Sequence, residues 1–364
     1  MADLHEGRSR LIGLRLCLAL VPVLFLAACT YSRQPVPSFR QDLRSFGFLS
    51  QARGRILGSF TDVTFLSDDL ILVTVNIKNY GPVEPLFDDS PPSKLLLFDL
   101  SKNALVRTAE MPVEKSVGSV RAIANGRFIL LNESGLSVCS SDLACRLAVQ
   151  IHGPMFVSPK GMKVVAGGNG RTQQKLLDGI TLSEIAHFPW NGLNVIPGDV
   201  GLVLRQDQML YAKYPNQPDH QLPFLGIGIW PEARFVSDSR IAGFETDNVL
   251  AIAESSGSTV FRLPVTQRWH LAEVTASASG SRFCFHQAGY TTLNSILNFL
   301  DIDSGRPYNT ESVNVISVQS GKSILQLKWD PRPFVGMLSA PALSPSGNRV
   351  AVIRGGFLEV FGLD

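Results

Sequence analysis

Residues 341–363 read PALSPSGNRVAVIRGGFLEVFGL, and this stretch constrains the fold of the chain more than any other. It divides into a strand over Ala342 to Ser344, a tight turn, a second strand over Arg349 to Ile353, a Gly355-Gly356 turn and a third strand over Phe357 to Gly362. In the first turn Pro345 presets one dihedral and Gly347 accepts the positive φ that other residues resist. The run Val350-Ala351-Val352-Ile353 is apolar on successive residues, so both faces of that strand need cover. Antiparallel sheets set radially about an axis supply it, because each sheet lies between two others.

Looser copies of the unit precede it. The first predicted sheet has strands over Asp62 to Leu66, Leu70 to Asn76 and Leu95 to Leu100, and the second over Ser119 to Ala124, Arg127 to Asn132 and Leu136 to Cys139. The third places Ser158-Pro159-Lys160-Gly161 between Met155 to Val157 and Met162 to Ala166, and the fourth centres on Pro197-Gly198 followed by Gly201 to Leu204. The fifth has Ala233 to Val236, Ile241 to Phe244 and Val249 to Ala253; the sixth has Glu273 to Thr275 and Arg282 to His286. The terminal unit is the seventh. Two stretches, 298–305 and 315–321, compete for the third strand of the sixth sheet, so one is an insertion or the ring holds an eighth blade.

The combination ALSPSGNRVAV with FLEVFGL resembles the WD40-like propeller repeats of the TolB type. The resemblance implies an all-β fold, a β-propeller of seven four-stranded blades or, in the alternative above, eight. Seven units of about 40 to 45 residues fill the length that remains after the N-terminal segment. Binding proteins, scaffolds and enzyme side-domains share such repeats, so they imply a fold rather than a chemistry. The last sheet lacks a fourth strand, and Arg53 to Gly58 is the predicted N-terminal strand that closes the ring and protects its edges. Upstream of it, Ser38-Phe39-Arg40-Gln41 reads as a capping box opening a short helix, with Phe39, Leu43 and Phe46 on one face; a loop is the alternative.

The first 28 residues read as a signal peptide: three arginines, then the apolar run Leu16 to Ala28, too short to span a membrane comfortably. The run ends in Leu26-Ala27-Ala28-Cys29, which resembles a bacterial lipobox. That resemblance implies cleavage before Cys29, lipidation of Cys29 and stable anchoring by several acyl chains. Thr30, not aspartate, follows the cysteine, and the sorting rule of such lipoproteins then implies the outer membrane of the cell envelope. The expected organisation is a signal peptide over residues 1–28, a lipidated cysteine, tether and short segment over 29–51, and the propeller over 52–364. Beyond the signal peptide the chain is almost neutral and has no basic run to track a phosphate backbone, which argues against nucleic acid.

Cys139 and Cys145 flank a five-residue loop, a spacing that lets paired strands bring them together; two separate buried thiols are the alternative. Cys284, inside Arg282-Phe-Cys-Phe-His286, reads as an inert core thiol and His286 as a structural histidine. No HxH or HExxH spacing supports a metal site, and no GxSxG, CxxCH or complete phosphate-binding loop occurs. The sequence therefore names no catalytic residue, metal or cofactor. Long connections are predicted at Tyr80 to Ser93, Gln287 to Asn294 and Trp329 to Met337, all opening on one face beside blades six, seven and one. They would present Phe87, Asp88, Asp89, Tyr290, Trp329, Asp330, Arg332 and Phe334, the aromatic and charged mixture that recognition surfaces use. The expected role is a monomeric, lipid-anchored envelope module that binds a protein or small ligand or serves as a scaffold. The alternative is a hydrolase, lactonase-like or metal-dependent, that uses the mouth of the ring.

Overall fold

The computed structural model describes residues 35–48, 57–60, 62–79, 92–111, 119–132, 134–167, 173–188, 195–207, 209–225, 233–246, 249–265, 272–289, 310–329 and 341–364. Cys29 and the rest of the predicted signal peptide and lipobox lie outside these residues. Pro37–Asp364 form one compact unit, a β-propeller of seven blades.

Blade one holds β2 (Leu57–Phe60), β3 (Val63–Phe65), β4 (Leu70–Asn79), β5 (Ser93–Asp99) and β6 (Ala104–Met111). It follows β1 (Phe39–Asp42), which belongs elsewhere. Blade two is β7 (Ser119–Ile123), β8 (Arg127–Asn132), β9 (Gly135–Cys139) and β10 (Cys145–Val149). Blade three is β11 (Met155–Val157), β12 (Lys163–Gly167), β13 (Gln174–Asp178) and β14 (Glu184–Phe188). Blade four is β15 (Val195–Pro197), β16 (Leu202–Gln206), β17 (Met209–Lys213) and β18 (His220–Leu225). Blade five is β19 (Ala233–Phe235), β20 (Arg240–Thr246), β21 (Val249–Glu254) and β22 (Thr259–Pro264). Blade six is β23 (Ala272–Ala276), β24 (Arg282–Gly289), β25 (Thr310–Ser317) and β26 (Ser323–Trp329). Blade seven is β27 (Ala342–Leu343), β28 (Arg349–Arg354) and β29 (Phe357–Gly362), completed by β1. The first strands of the blades, β3, β7, β11, β15, β19, β23 and β27, touch in that order and return to β3.

The hydrophobic core lies between blades rather than inside any one of them. Ile71, Val73, Leu96 and Phe98 pack towards blade seven, while Leu72, Leu95 and Leu97, their immediate neighbours in β4 and β5, pack towards blade two. Alternation along a strand sends successive side chains to opposite faces, so a fully apolar strand fills two interfaces at once. Val350 and Val352 face blade six and Ala351 faces blade one in the same way.

The ring closes with a strand other than the one predicted. Phe39 pairs with Val360 and Asp42 with Phe357, so β1 supplies the outer strand of blade seven in place of Arg53 to Gly58. Residues 51–56 lie outside the described residues, and β2 instead extends blade one, with Leu57 opposite Asn79 and Phe60 opposite Asn76. The expected helix at Ser38 is therefore strand β1, followed by a single 3-10 turn over Arg44–Phe46 that ends at Gly47 with φ 99°. The physical reason is the open edge of β29: it offers backbone partners to every residue of β1, whereas a one-turn helix leaves most of its end groups unsatisfied. Phe39 and Phe46 still share a target, both meeting the Phe98 ring edge-on at 5.9 and 6.3 Å. The ring thus starts before residue 52, the expected boundary.

The ambiguity in blade six resolves in favour of seven blades. Val315 and Ile316 belong to its third strand, β25, with Gly321 in the turn that follows, while residues 298–305 lie outside the described residues in the preceding connection. Cys139 and Cys145 stand directly opposite each other in β9 and β10 and form a disulfide. Cys284 is buried and free, and burial pushes its thiol well above the ordinary range.

The turns between first and second strands repeat one design. The hydroxyls of Ser67, Ser158, Ser237, Ser277 and Ser344 accept the backbone N–H of Leu70, Lys163, Arg240, Arg282 and Arg349 at 3.0–3.2 Å. The basic residue that opens the second strand then reaches into the next blade. Arg127 donates to the Ile180 carbonyl at 2.7 Å, Lys163 to Val200 at 3.3 Å and Arg240 to Val318 at 2.5 Å. Arg282 donates to Gly347 and Leu363 at 2.8 and 2.7 Å, and Arg349 to the Asp68 carbonyl and the Asp69 carboxylate at 2.6 and 2.7 Å. Neighbouring turns approach closely here: Gly161 has φ 71°, and a Cβ on it would stand 2.5 Å from the Ile123 Cα of blade two.

Candidate functional site

At the opposite end of the ring, blades six and one outgrow the rest. Strand β4 runs for 10 residues and β24 and β25 for 8 each, whereas β8, β12, β16, β20 and β28 have 5 to 7. The β24–β25 ladder continues as far as Gly289 opposite Thr310, and β2 flanks the distal half of β4. Residues 80–92, 290–309 and 330–341 connect the strands at this end, beside blade seven, whose own connection is only Gly355-Gly356.

Of the predicted recognition residues, Trp329 is the one inside the described set; Phe87, Asp88, Asp89, Tyr290, Asp330, Arg332 and Phe334 lie outside it. Trp329 is the last residue of β26, opposite Glu311 in β25, and it packs against the cluster shared by blades six and seven. Its indole stacks on the His286 imidazole, with centroids 5.9 Å apart and planes inclined by 28°. The Arg354 guanidinium of blade seven lies 6.0 Å from the indole centroid, within cation–π range.

Two buried carboxylates lie near the indole, each beside a basic side chain. His286, 2% exposed, places Nε2 3.6 Å from Oε2 of Glu311, itself 7% exposed. The other ring nitrogen, Nδ1, is buried and has no hydrogen-bond partner among the described residues. Arg354 Nη2 stands 2.6 Å from Oε2 of Glu359, a carboxylate only 3% exposed, and Arg40 Nε of the closing strand stands 3.2 Å from its Oε1. Arg40 also covers the Phe357 ring at 3.9 Å. A carboxylate removed from water is tolerable only when charge partners of this kind surround it. The strand order explains their meeting: Glu359 lies between β28, which carries Arg354, and β1, which carries Arg40.

Sequence reasoning placed Trp329 at this end and read His286 as structural, but it passed over Glu311, Arg354, Glu359 and Arg40. One signal was present. Glu359 interrupts Phe357-Leu358-Glu359-Val360-Phe361, a strand covered on both faces, and an acid in such a place needs a cation.

The arrangement is a half-buried aromatic plate stacked on a histidine and flanked by a guanidinium, at the end of β26. Among the described residues no group of three or more His, Cys, Asp or Glu gathers to hold a metal ion. The fold and this site define the class, a seven-bladed β-propeller. No protein-family model matches the chain, and no curated protein matches it either.

Proposed function

We propose that the chain is a lipid-anchored binding module of the bacterial cell envelope, one that grips a protein partner at the end of the ring formed by blades six, seven and one. The carrying observation is the lengthened hairpins of blades six and one on either side of the short blade seven, with Trp329 and Arg354 between them. Long connections on a rigid frame are where binding residues concentrate, and Trp and Arg dominate the energetics of protein interfaces. The Leu26–Cys29 stretch supports the anchor. The Cys139–Cys145 disulfide suits an oxidising compartment outside the cytoplasm.

The test is crosslinking of the tagged protein in intact cells followed by mass spectrometry, beside a strain in which Trp329, Arg332 and Phe334 are alanine. A reproducible protein partner lost in the substituted strain supports the reading. A partner that survives moves the interface away from this end, and turnover of ester or lactone substrates by the purified protein without any partner replaces the reading with the hydrolase. The anchor is tested by Cys29→Ser: release from the membrane fraction is expected, and unchanged fractionation overturns it.

A further inference from the structure

The end of the ring that carries the serine turns also receives the N-terminal chain. Strands within a blade alternate in direction, so first-to-second and third-to-fourth turns share one end and second-to-third turns the other. β29 runs towards the first of these ends, where Leu363 donates its N–H to the Asn348 carbonyl at 2.8 Å. β1 runs antiparallel to it, and the Ser38 N–H meets the Val360 carbonyl at 2.8 Å. The chain therefore enters blade seven at the serine-turn end. Cys29 stands nine residues before Ser38, a stretch that reaches roughly 30 Å when fully extended.

Three exposed apolar side chains stand at the same end. Met162 closes the first turn of blade three, Ile180 sits in the third-to-fourth turn of that blade and Val200 in the first turn of blade four; they are 37–47% exposed. Hydrogen bonds tie these turns together. Gly179, next to Ile180, donates its N–H to the Met162 carbonyl at 2.7 Å, and Lys163, next to Met162, donates Nζ to the Val200 carbonyl at 3.3 Å. Turns ordinarily carry polar residues. The matching third-to-fourth turns hold Ser101-Lys102-Asn103 in blade one, Asn216-Gln217 in blade four and Ser256-Gly257-Ser258 in blade five. Among the described residues, the other exposed large apolar side chains of the blades are dispersed. Val106, Leu147, Ile185 and Val260 lie one to a blade on outer strands, and Met209 lies at the opposite end. Both signs of charge border the three turns: Lys160 is held 2.6 Å from Asp238, and Asp199 accepts from the Ser158 hydroxyl at 2.6 Å. The distinguishing property of this surface is therefore apolar. Blades three and four also lie across the ring from blade seven, three steps away in either direction.

We propose that Met162, Ile180 and Val200 dip into the surface of the bilayer that holds the lipid, so that the ring lies flat with its serine-turn end on the membrane and Trp329 facing away. The inference rests on the reading of Cys29 as the anchor. A tether at blade seven alone permits the ring to stand on its rim; the apolar turns across the ring supply the second point of contact, which selects the flat pose. Three half-exposed side chains are too few to hold a protein on a membrane unaided, but a short tether keeps them at a high effective concentration beside it.

The lipidated full chain is placed in phosphatidylcholine vesicles containing a lipid with a photoreactive diazirine near the top of its acyl chain. After irradiation the adducts are mapped by mass spectrometry. Adducts on residues 158–163, 178–183 and 198–201 are expected to exceed those at Met209 and on 353–357 about threefold or more, as for side chains seated at the acyl boundary. Replacing Met162, Ile180 and Val200 together by serine is expected to remove that excess, and thermal melting establishes that the variant is folded. If the native chain does not float with vesicles, the anchor reading has failed. The pose is then tested separately, with a chain made from Cys29 onward and coupled through that thiol to a maleimide lipid. Adducts concentrated on outer strands or at the Trp329 end, or undiminished in the folded triple variant, overturn the proposal. A dimer in detergent that the triple variant loses gives the three turns to a second copy and overturns it as well.

Discussion

The two ends of the ring are made of the same strands and behave as different materials. At one end five first turns carry a serine that seals the turn, and in five blades a basic residue reaches carbonyl groups of the next blade. Each link is short, local to two blades and repeated, so its strength is distributed. At the other end the blades differ from one another: β4, β24 and β25 rise, blade seven stays low, and the charges collect in one seam around Glu359. Repetition at one end leaves the other free to vary, which is how a scaffold acquires a specific surface without losing its frame.

The comparison predicts where a single change hurts most. The largest effect is expected at the seam: Glu359→Ala removes the buried carboxylate that both Arg354 and Arg40 reach. Losing charge-assisted bonds to a carboxylate removed from water costs about 3 kcal/mol. Urea titration should show that loss, and a midpoint within error of wild type would mean that the seam does not hold the ring. A smaller effect is expected at the repeated end. Arg282→Ala loses two bonds, to Gly347 and Leu363, for about 2 kcal/mol, and should leave partner capture through Trp329 intact. Loss of capture in a variant that still folds would join the two ends that the comparison separates.

The smallest effect is a dependence on pH. Asp99 at the end of β5 accepts from the Lys102 ammonium at 2.8 Å and from the Ser101 hydroxyl at 2.6 Å. These partners lower its carboxyl from 3.8 to about 2. A depressed folded-state value contributes stability above the ordinary carboxylate range and loses it as pH falls towards 2. Wild type should therefore melt higher than Asp99→Asn at pH 6, with the gap closing between pH 4 and pH 2. A gap that stays constant across that range would remove Asp99 from the account.

The apolar pairs of the central strands made the fold legible. Ile71-Leu72-Val73 and Val350-Ala351-Val352 demand cover on two faces, and the Ser158 and Ser344 turns mark where each unit begins. The closing strand was not legible, because its structure is decided by an edge about three hundred residues away. Phe39, Leu43 and Phe46 have the spacing of a helix face, and only β29 makes the first of them part of a strand. The basic residue that opens the second strand in five blades went unread, because its use depends on the next blade's carbonyl groups standing within reach. Trp329 could be placed from the sequence because it ends a strand beside a long connection. Glu311 and Arg354 could not, since their meeting depends on how blades six and seven face each other.

The pairing of Phe39 with Val360 sets an order in time. Ser38 donates to the Val360 carbonyl across a separation of 322 positions, so the first strand synthesised has no partner until nearly all of the remaining chain has arrived. Through that interval blade one has no cover for Phe98 and Ile71 on the side of blade seven, and β1 has no ladder to join. Joining such distant segments is slow, and the waiting chain exposes apolar surface and unpaired edges. A chaperone that holds the early blades during this interval would serve the protein more than one that acts at the end. A chain interrupted after Arg354 would lack β29 and leave β1 without its partner, and so would lose the event that makes the other six blades a ring.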